Sequence, residues 1–97
     1  MVYHIVLLTF KPGGDVQFAP LHAALDALRA KLPGMLGVSG GRYSSPEGLN
    51  QGYTHGFIMT FADPAARDRY LVHPDHEAVK TKFLPFVDKV VAFDYVV

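Results

Sequence analysis

The chain reads as an α+β fold on the ferredoxin-like βαββαβ plan, with one antiparallel four-stranded sheet. Three observations carry that reading. Four short stretches are β-branched, apolar or strictly alternating, and amphipathic helical stretches separate the first from the second and the third from the fourth. The resulting order of strand, helix, strand, strand, helix, strand is two split βαβ halves. Apolar residues make up 49% of the 97 residues and charged ones only 19%, more apolar surface than a small monomer hides. Helices on one sheet face leave the other bare, and pairing two bare faces in a homodimer covers both.

Residues 2–10 are too short and too β-branched for a helix and stop at Lys11-Pro12-Gly13-Gly14, which marks a largely buried strand with His4, Val6, Leu8 and Phe10 on one face. Leu21, Leu25, Leu28 and Leu32 then recur at helical spacing, with Ala24 on the same stripe. Proline is tolerated only in a helix's first turn, so Pro20 sets the start near Ala19, and Pro33-Gly34 ends the helix at about Leu32. Residues 35–43 carry Gly37, Ser39, Gly40 and Gly41 and suit an edge strand with a bulge at the glycine pair. Residues 44–52 form a loop.

Residues 53–61 alternate most clearly, placing His55, Phe57, Met59 and Phe61 on one face. Asp63-Pro64 supplies an N-cap and a first helical residue for a helix reaching Val72, and Pro74 opens a second segment running to about Leu84. Residues 89–97 form the last strand, in which Asp94 is a carboxylate among apolar neighbours. The chain is expected to be a single domain, 1–97.

Nine basic residues balance nine acidic ones without a run or stripe, which argues against nucleic acid as a partner. There is no cysteine, hence no disulfide, thiolate nucleophile or cysteine-based zinc site. The N-terminal apolar run ends at Lys11-Pro12, too early for a membrane span and without signal-peptide features, so no membrane association and a cytoplasmic location are expected. No metal site is expected: His73 and His76 stand three apart, but Pro74 breaks the helical pair. No cofactor is expected either, since nothing singles out a haem ligand among the five histidines.

Chemistry concentrates in Tyr70-Leu71-Val72-His73-Pro74-Asp75-His76. Proline disfavours the α region for the residue before it, so Tyr70 ends one helix and His76 begins the next, close in space. A phenol and an imidazole so placed can share a proton near neutral pH. Tyr70 reads equally as a half-buried core tyrosine, and His73 as a junction residue capping the second segment. His4 and His55 are structural residues at the rims of apolar faces or walls of a pocket, with strand register placing them toward opposite ends of the sheet. Asp94 is an edge charge that discourages aggregation or a pocket acid.

Taken together, His4-Ile5-Val6-Leu7, the run from Ser45-Pro46-Glu47-Gly48 to Gly52-Tyr53-Thr54-His55, the Tyr70 to His76 box and Val91-Ala92-Phe93-Asp94-Tyr95 resemble the stress-responsive dimeric α/β-barrel domain family, from about Val2 to Tyr95. The resemblance implies a ferredoxin-like subunit and a homodimer whose two sheets form a central barrel. The family is mostly without assigned activity but is similar to a plant polyketide cyclase in which a tyrosine and a histidine drive an aldol ring closure. Tyr70 and His76 match that catalytic pair, and His4 and His55 match further pocket histidines. The first helix departs from it, offering His22, Ala23 and Asp26 where the cyclase presents large aromatic residues.

Two functions follow. One is a cyclase- or lyase-type enzyme for a small apolar or aromatic carbonyl compound, with His76 as general base, Tyr70 bonding the enolate oxygen, and His4, His55, Phe57, Met59 and Asp94 binding the substrate. The other is a non-catalytic ligand-binding or stress-protective homodimer.

Overall fold

The computed structural model describes residues 1–97. Its elements are β1 (Val2–Phe10), α1 (Phe18–Ala27), β2 (Met35–Arg42), β3 (His55–Phe61), α2 (Pro64–Val72), α3 (Pro74–Phe83) and β4 (Val87–Val96), with short 3-10 turns flanking α1 and following α3. The strands form one sheet in the order β2-β3-β1-β4, antiparallel at each junction. This is the ferredoxin-like plan, with the glycine-rich β2 and the apolar β4 at the two edges.

Alternation sorts the side chains. Val2, Leu8, Phe57, Met59 and Phe61 turn inward and meet Leu21, Leu25 and Leu28 of the first helical stretch, Ala66 and Tyr70 of α2, and Phe83 of α3. Burying a residue of this kind contributes about 1.5–3 kcal/mol, so the core accounts for most of the drive to fold. The alternate residues point away from the helices. Leu7, Ile58, Val91, Phe93 and Tyr95 are exposed, and Phe93 retains 65% of its surface.

Several ends differ from expectation. The first helix begins at Phe18, after a 3-10 turn at Gly14–Gln17, and after Ala27 it tightens into a 3-10 turn at Leu28–Ala30. Pro20 still sits in the first turn, and tightening the end lets the Leu28 carbonyl accept from Lys31 N at 3.0 Å while Leu28 and Leu32 stay buried. The irregularity in β2 lies between Met35 and Gly37, not at Gly40-Gly41. There the chain leaves Gly34 at φ +90° and must bury Met35, so Leu36 is put outside, 49% exposed. Gly40 has another use. A Cβ on it would stand 2.5 Å from Cδ1 of Phe57, so the missing side chain is what lets that ring lie against β2. The last strand starts at Val87, two residues early, because the Phe86 carbonyl accepts from Lys11 N at 2.9 Å and a bulge at Thr9/Phe10 lets Thr9 Oγ1 accept from Lys89 N at 3.1 Å.

The second helical stretch breaks where proline requires it. The Asp63 side chain accepts from Ala66 N at 2.8 Å to cap α2. His73 is extended, at ψ 135°, and is at once the C-cap of one helix and the N-cap of the next, its Nδ1 accepting from Asp75 N at 3.1 Å. No helix is long and apolar enough to cross a membrane.

Candidate active site

The break at His73 sets the last turn of α2 against the first turn of α3, and the rings of Tyr70 and His76 lie 4.0 Å apart at a 33° tilt. Tyr70 is 1% exposed. Its ring is flanked by Phe61, 5.1 Å away, and edge-on by His4 of β1, 5.9 Å away. The Tyr70 hydroxyl donates to Met59 Sδ at 3.2 Å. A thioether is a weak acceptor, so a carbonyl oxygen arriving there takes that proton's hydrogen bond readily. Burial pushes the phenol well above its ordinary value, with the Asp94 charge adding to the effect, and Tyr70 is therefore a donor and not a base at neutral pH.

His76 shifts the other way. Burial lowers its pKa below the usual histidine value; the Leu71 carbonyl opposes this and the Lys80 charge adds to it, leaving a neutral imidazole at pH 7. With its Nδ1 proton directed at the Leu71 carbonyl, 3.4 Å away, Nε2 carries the free lone pair. A neutral base and a protonated donor therefore stand side by side.

Both line a cavity of about 310 Å³ between the inner sheet face and the helices α1 and α3. Its wall is mostly apolar, including Phe57, Met59, Leu25 and Phe83, and its polar groups are His4, Tyr70, His76 and Lys80. This is the composition of a small-molecule site at the small end of the usual size range.

Asp94 does not line the cavity and acts on it through His4. The two face each other across β1 and β4, with His4 Nδ1 2.5 Å from Asp94 Oδ1, while Arg67 Nη1 donates to Asp94 Oδ2 at 2.8 Å. Burial pushes the carboxyl up, but the hydrogen bonds from His4 and Arg67 outweigh it and hold Asp94 below the ordinary carboxylate value. The carboxylate thus fixes a His4 proton on Nδ1 and leaves Nε2 as the ring's remaining polar atom. Asp94 thus lies on the edge strand β4, paired with His4 and Arg67, and does not border the cavity as a substrate-binding acid would.

His55 lies elsewhere. It pairs with Leu8 of β1 where His4 pairs with Met59, which puts the two histidines roughly 13 Å apart along the strand. Its Nδ1 lies 2.8 Å from Thr54 Oγ1 and its ring packs on Phe18 at 4.7 Å and Phe10 at 5.1 Å. Burial, and then the Arg42 charge, lower its pKa. It does not border the cavity that holds Tyr70. His22 turns its ring to Phe57 at 5.5 Å and also stays outside. His73 Nδ1 is committed to the Asp75 amide, and no three histidine or acidic side chains come together as metal ligands do.

Sequence reasoning missed Arg67 and Lys80. Each carried a spacing signal: Arg67 lies three residues before Tyr70 and Lys80 four after His76, so each shares a helical face with a residue of the pair.

The chain is similar to known proteins over nearly all its length. The model of the stress responsive A/B barrel domain matches residues 2–97. A stress-response A/B barrel domain-containing protein of Arabidopsis thaliana is 36% identical over 97% of this chain and 87% of its own length, and the olivetolic acid cyclase of Cannabis sativa is 27% identical over 97% and 94%. Among solved structures, a dimeric ferredoxin-like protein from Jannaschia sp. superposes with a TM-score of 0.88 at 30% identity, covering 99% of this chain and 98% of that one. The hydroxynitrile lyase of Passiflora edulis superposes with a TM-score of 0.86 at 25% identity, covering 99% and 92%. With this match along the whole sheet and both helical stretches, the chain belongs to the stress responsive A/B barrel domain family.

Proposed function

We propose that this protein is a cyclase- or lyase-type enzyme that binds a small apolar or aromatic carbonyl compound and acts on it by acid–base chemistry, as a homodimer. The observation that carries the reading is the packing of the Tyr70 and His76 rings at 4.0 Å on the wall of an apolar cavity. A relative that is a cyclase and a structural neighbour that is a lyase support the class of reaction, and the dimeric neighbour supports the assembly.

In this mechanism Nε2 of His76 removes a proton α to the substrate carbonyl, becoming an imidazolium, and the electron pair moves onto the carbonyl oxygen. Tyr70 donates its hydrogen bond to the enolate oxygen so formed, leaving Met59 Sδ. For a cyclase, the enolate carbon attacks a second carbonyl of the same molecule, a C–C bond forms, and His76 returns its proton to the new alkoxide. His4, held by Asp94, presents its Nε2 to a substrate hydroxyl, and Phe57 and Met59 hold the apolar body. His55 supports the wall from behind, through Phe18 stacked on Phe57 at 4.8 Å. Positioned acid–base catalysis of this kind supplies about 10²–10⁴-fold in rate.

The test needs no knowledge of the natural substrate. Aryl ketones incubated with the protein in D2O are expected to exchange their α-protons faster than in buffer, as read by proton NMR, and His76→Ala is expected to abolish the excess. Ketones that bind without any excess exchange would overturn the catalytic reading in favour of a ligand-binding or stress-protective homodimer.

A further inference from the structure

On α3 and the residue that follows it, the cavity is bordered by His76, Val79, Lys80, Phe83 and Leu84, the i, i+3, i+4, i+7, i+8 stripe that faces a core. Val79, Phe83 and Leu84 suit an apolar wall and His76 serves the pair with Tyr70, whereas Lys80 does neither. A lysine on such a stripe needs a reason, since its ammonium is strongly hydrated. The helix dipole favours a cation in the last turn but does not require it on the stripe that borders the cavity. A basic residue in the last turn of α3 is already present in Lys82, which lies outside the cavity.

The charges around Lys80 are informative. Glu77 accepts from Lys80 Nζ at 3.1 Å, but their side chains are 52% and 43% exposed, the kind of surface pair that holds its cation weakly. Neither Asp75 nor Asp94 pairs with Lys80: Asp75 bonds Lys31 at 3.2 Å, and Asp94 bonds His4 and Arg67. Lys80 is thus the one permanently charged residue bordering the cavity, and no carboxylate borders it. An anion reaching Lys80 from the cavity meets a cation whose one ion-pair partner, Glu77, lies outside the cavity wall.

We propose that Lys80 is a specificity-determining residue, holding the carboxylate of an acidic carbonyl substrate at the cavity rim while the apolar body of that substrate lies against Phe57 and Met59. The inference rests on the carbonyl-binding reading above and narrows it to keto acids. Residues four apart on a helix have Cβ atoms about 5–6 Å apart, so a carboxylate on Lys80 leaves the carbonyl a few bonds away within reach of His76 and Tyr70.

The test compares 4-oxo-4-phenylbutanoate with its methyl ester, binding being followed by the NMR shifts of the Tyr70 and His76 rings. Wild type is expected to bind the acid at least fivefold more tightly than the ester. Lys80→Met is expected to erase that preference without weakening the ester, Glu77→Gln to keep or widen it, and Lys82→Met, which removes the same charge outside the cavity, to leave it intact. Equal binding of acid and ester, or a preference that survives Lys80→Met, overturns the role of Lys80 while leaving the carbonyl site standing. Acid binding that depends on Lys80 but brings no α-proton exchange supports the carboxylate site and overturns the acid–base reading. Failure of both compounds to bind overturns both.

Discussion

Tyr70 and His76 are driven in opposite directions by one cause. Burial makes the phenol harder to ionise and the imidazole harder to protonate, so each is held in the form that enolate chemistry needs. The pH dependence follows in sign. Because the folded pKa of His76 is below the unfolded value of about 6.5, the unfolded chain takes up protons first as pH falls, and stability present at pH 7 is lost below that point. His55, shifted the same way, adds to the loss. Urea unfolding between pH 7 and 5 is expected to show decreasing stability, with a shallower slope in His76→Gln. For α-proton exchange, the acid limb of the rate profile is expected to fall below about pH 6.5, as the base must be neutral. Tyr70→Phe separates chemistry from folding. It removes a hydroxyl bonded only to sulfur, so unfolding measurements are expected to register less than about 1 kcal/mol, while exchange falls by about 10²-fold.

Each element's existence was legible from periodicity, and its ends were legible where one residue dictates them. Asp63-Pro64 and His73-Pro74 are such places, since a cap and a proline act locally. The bulge in β2 was misplaced because glycine was read as a mark of irregular pairing, whereas Gly40 is small to admit Phe57 from the neighbouring strand. Gly40→Ala is expected to cost about 1–3 kcal/mol in urea unfolding through overpacking, while Gly41→Ala, with open space at its Cβ, is expected to be tolerated. The site divides in the same way. Tyr70 and His76 were found because seven residues of sequence contain them both, whereas the Arg67–Asp94 pair joins residues 27 apart and Lys80 was hidden by its ordinary place in a helix's last turn. His55 shared a strand face with Phe57 and Met59, yet register put it at the far end of that face.

Across the whole molecule, the helices and the cavity occupy one side of the sheet and an unshielded apolar surface the other. Phe93, at 65% exposure, sits among Leu7, Ile58, Val91 and Tyr95. A second copy turned face to face would bury these rows against their own equivalents, as isologous contacts require. Phe93→Asp is expected to shift the protein toward monomer in sedimentation equilibrium; an unchanged mass would place the contact elsewhere.

The junction at His73 carries one more consequence. A single residue ends α2 and begins α3, its carbonyl accepting from Glu77 N and its ring bonded to the next helix's first turn. There is no slack in such an elbow. The two rings meet at an angle set by backbone geometry during folding, before any guest arrives, so an incoming molecule need not freeze a floppy segment to complete the pair. Amide protons on both sides of the bend are accordingly expected to exchange with solvent no faster when the cavity is empty than when it is filled.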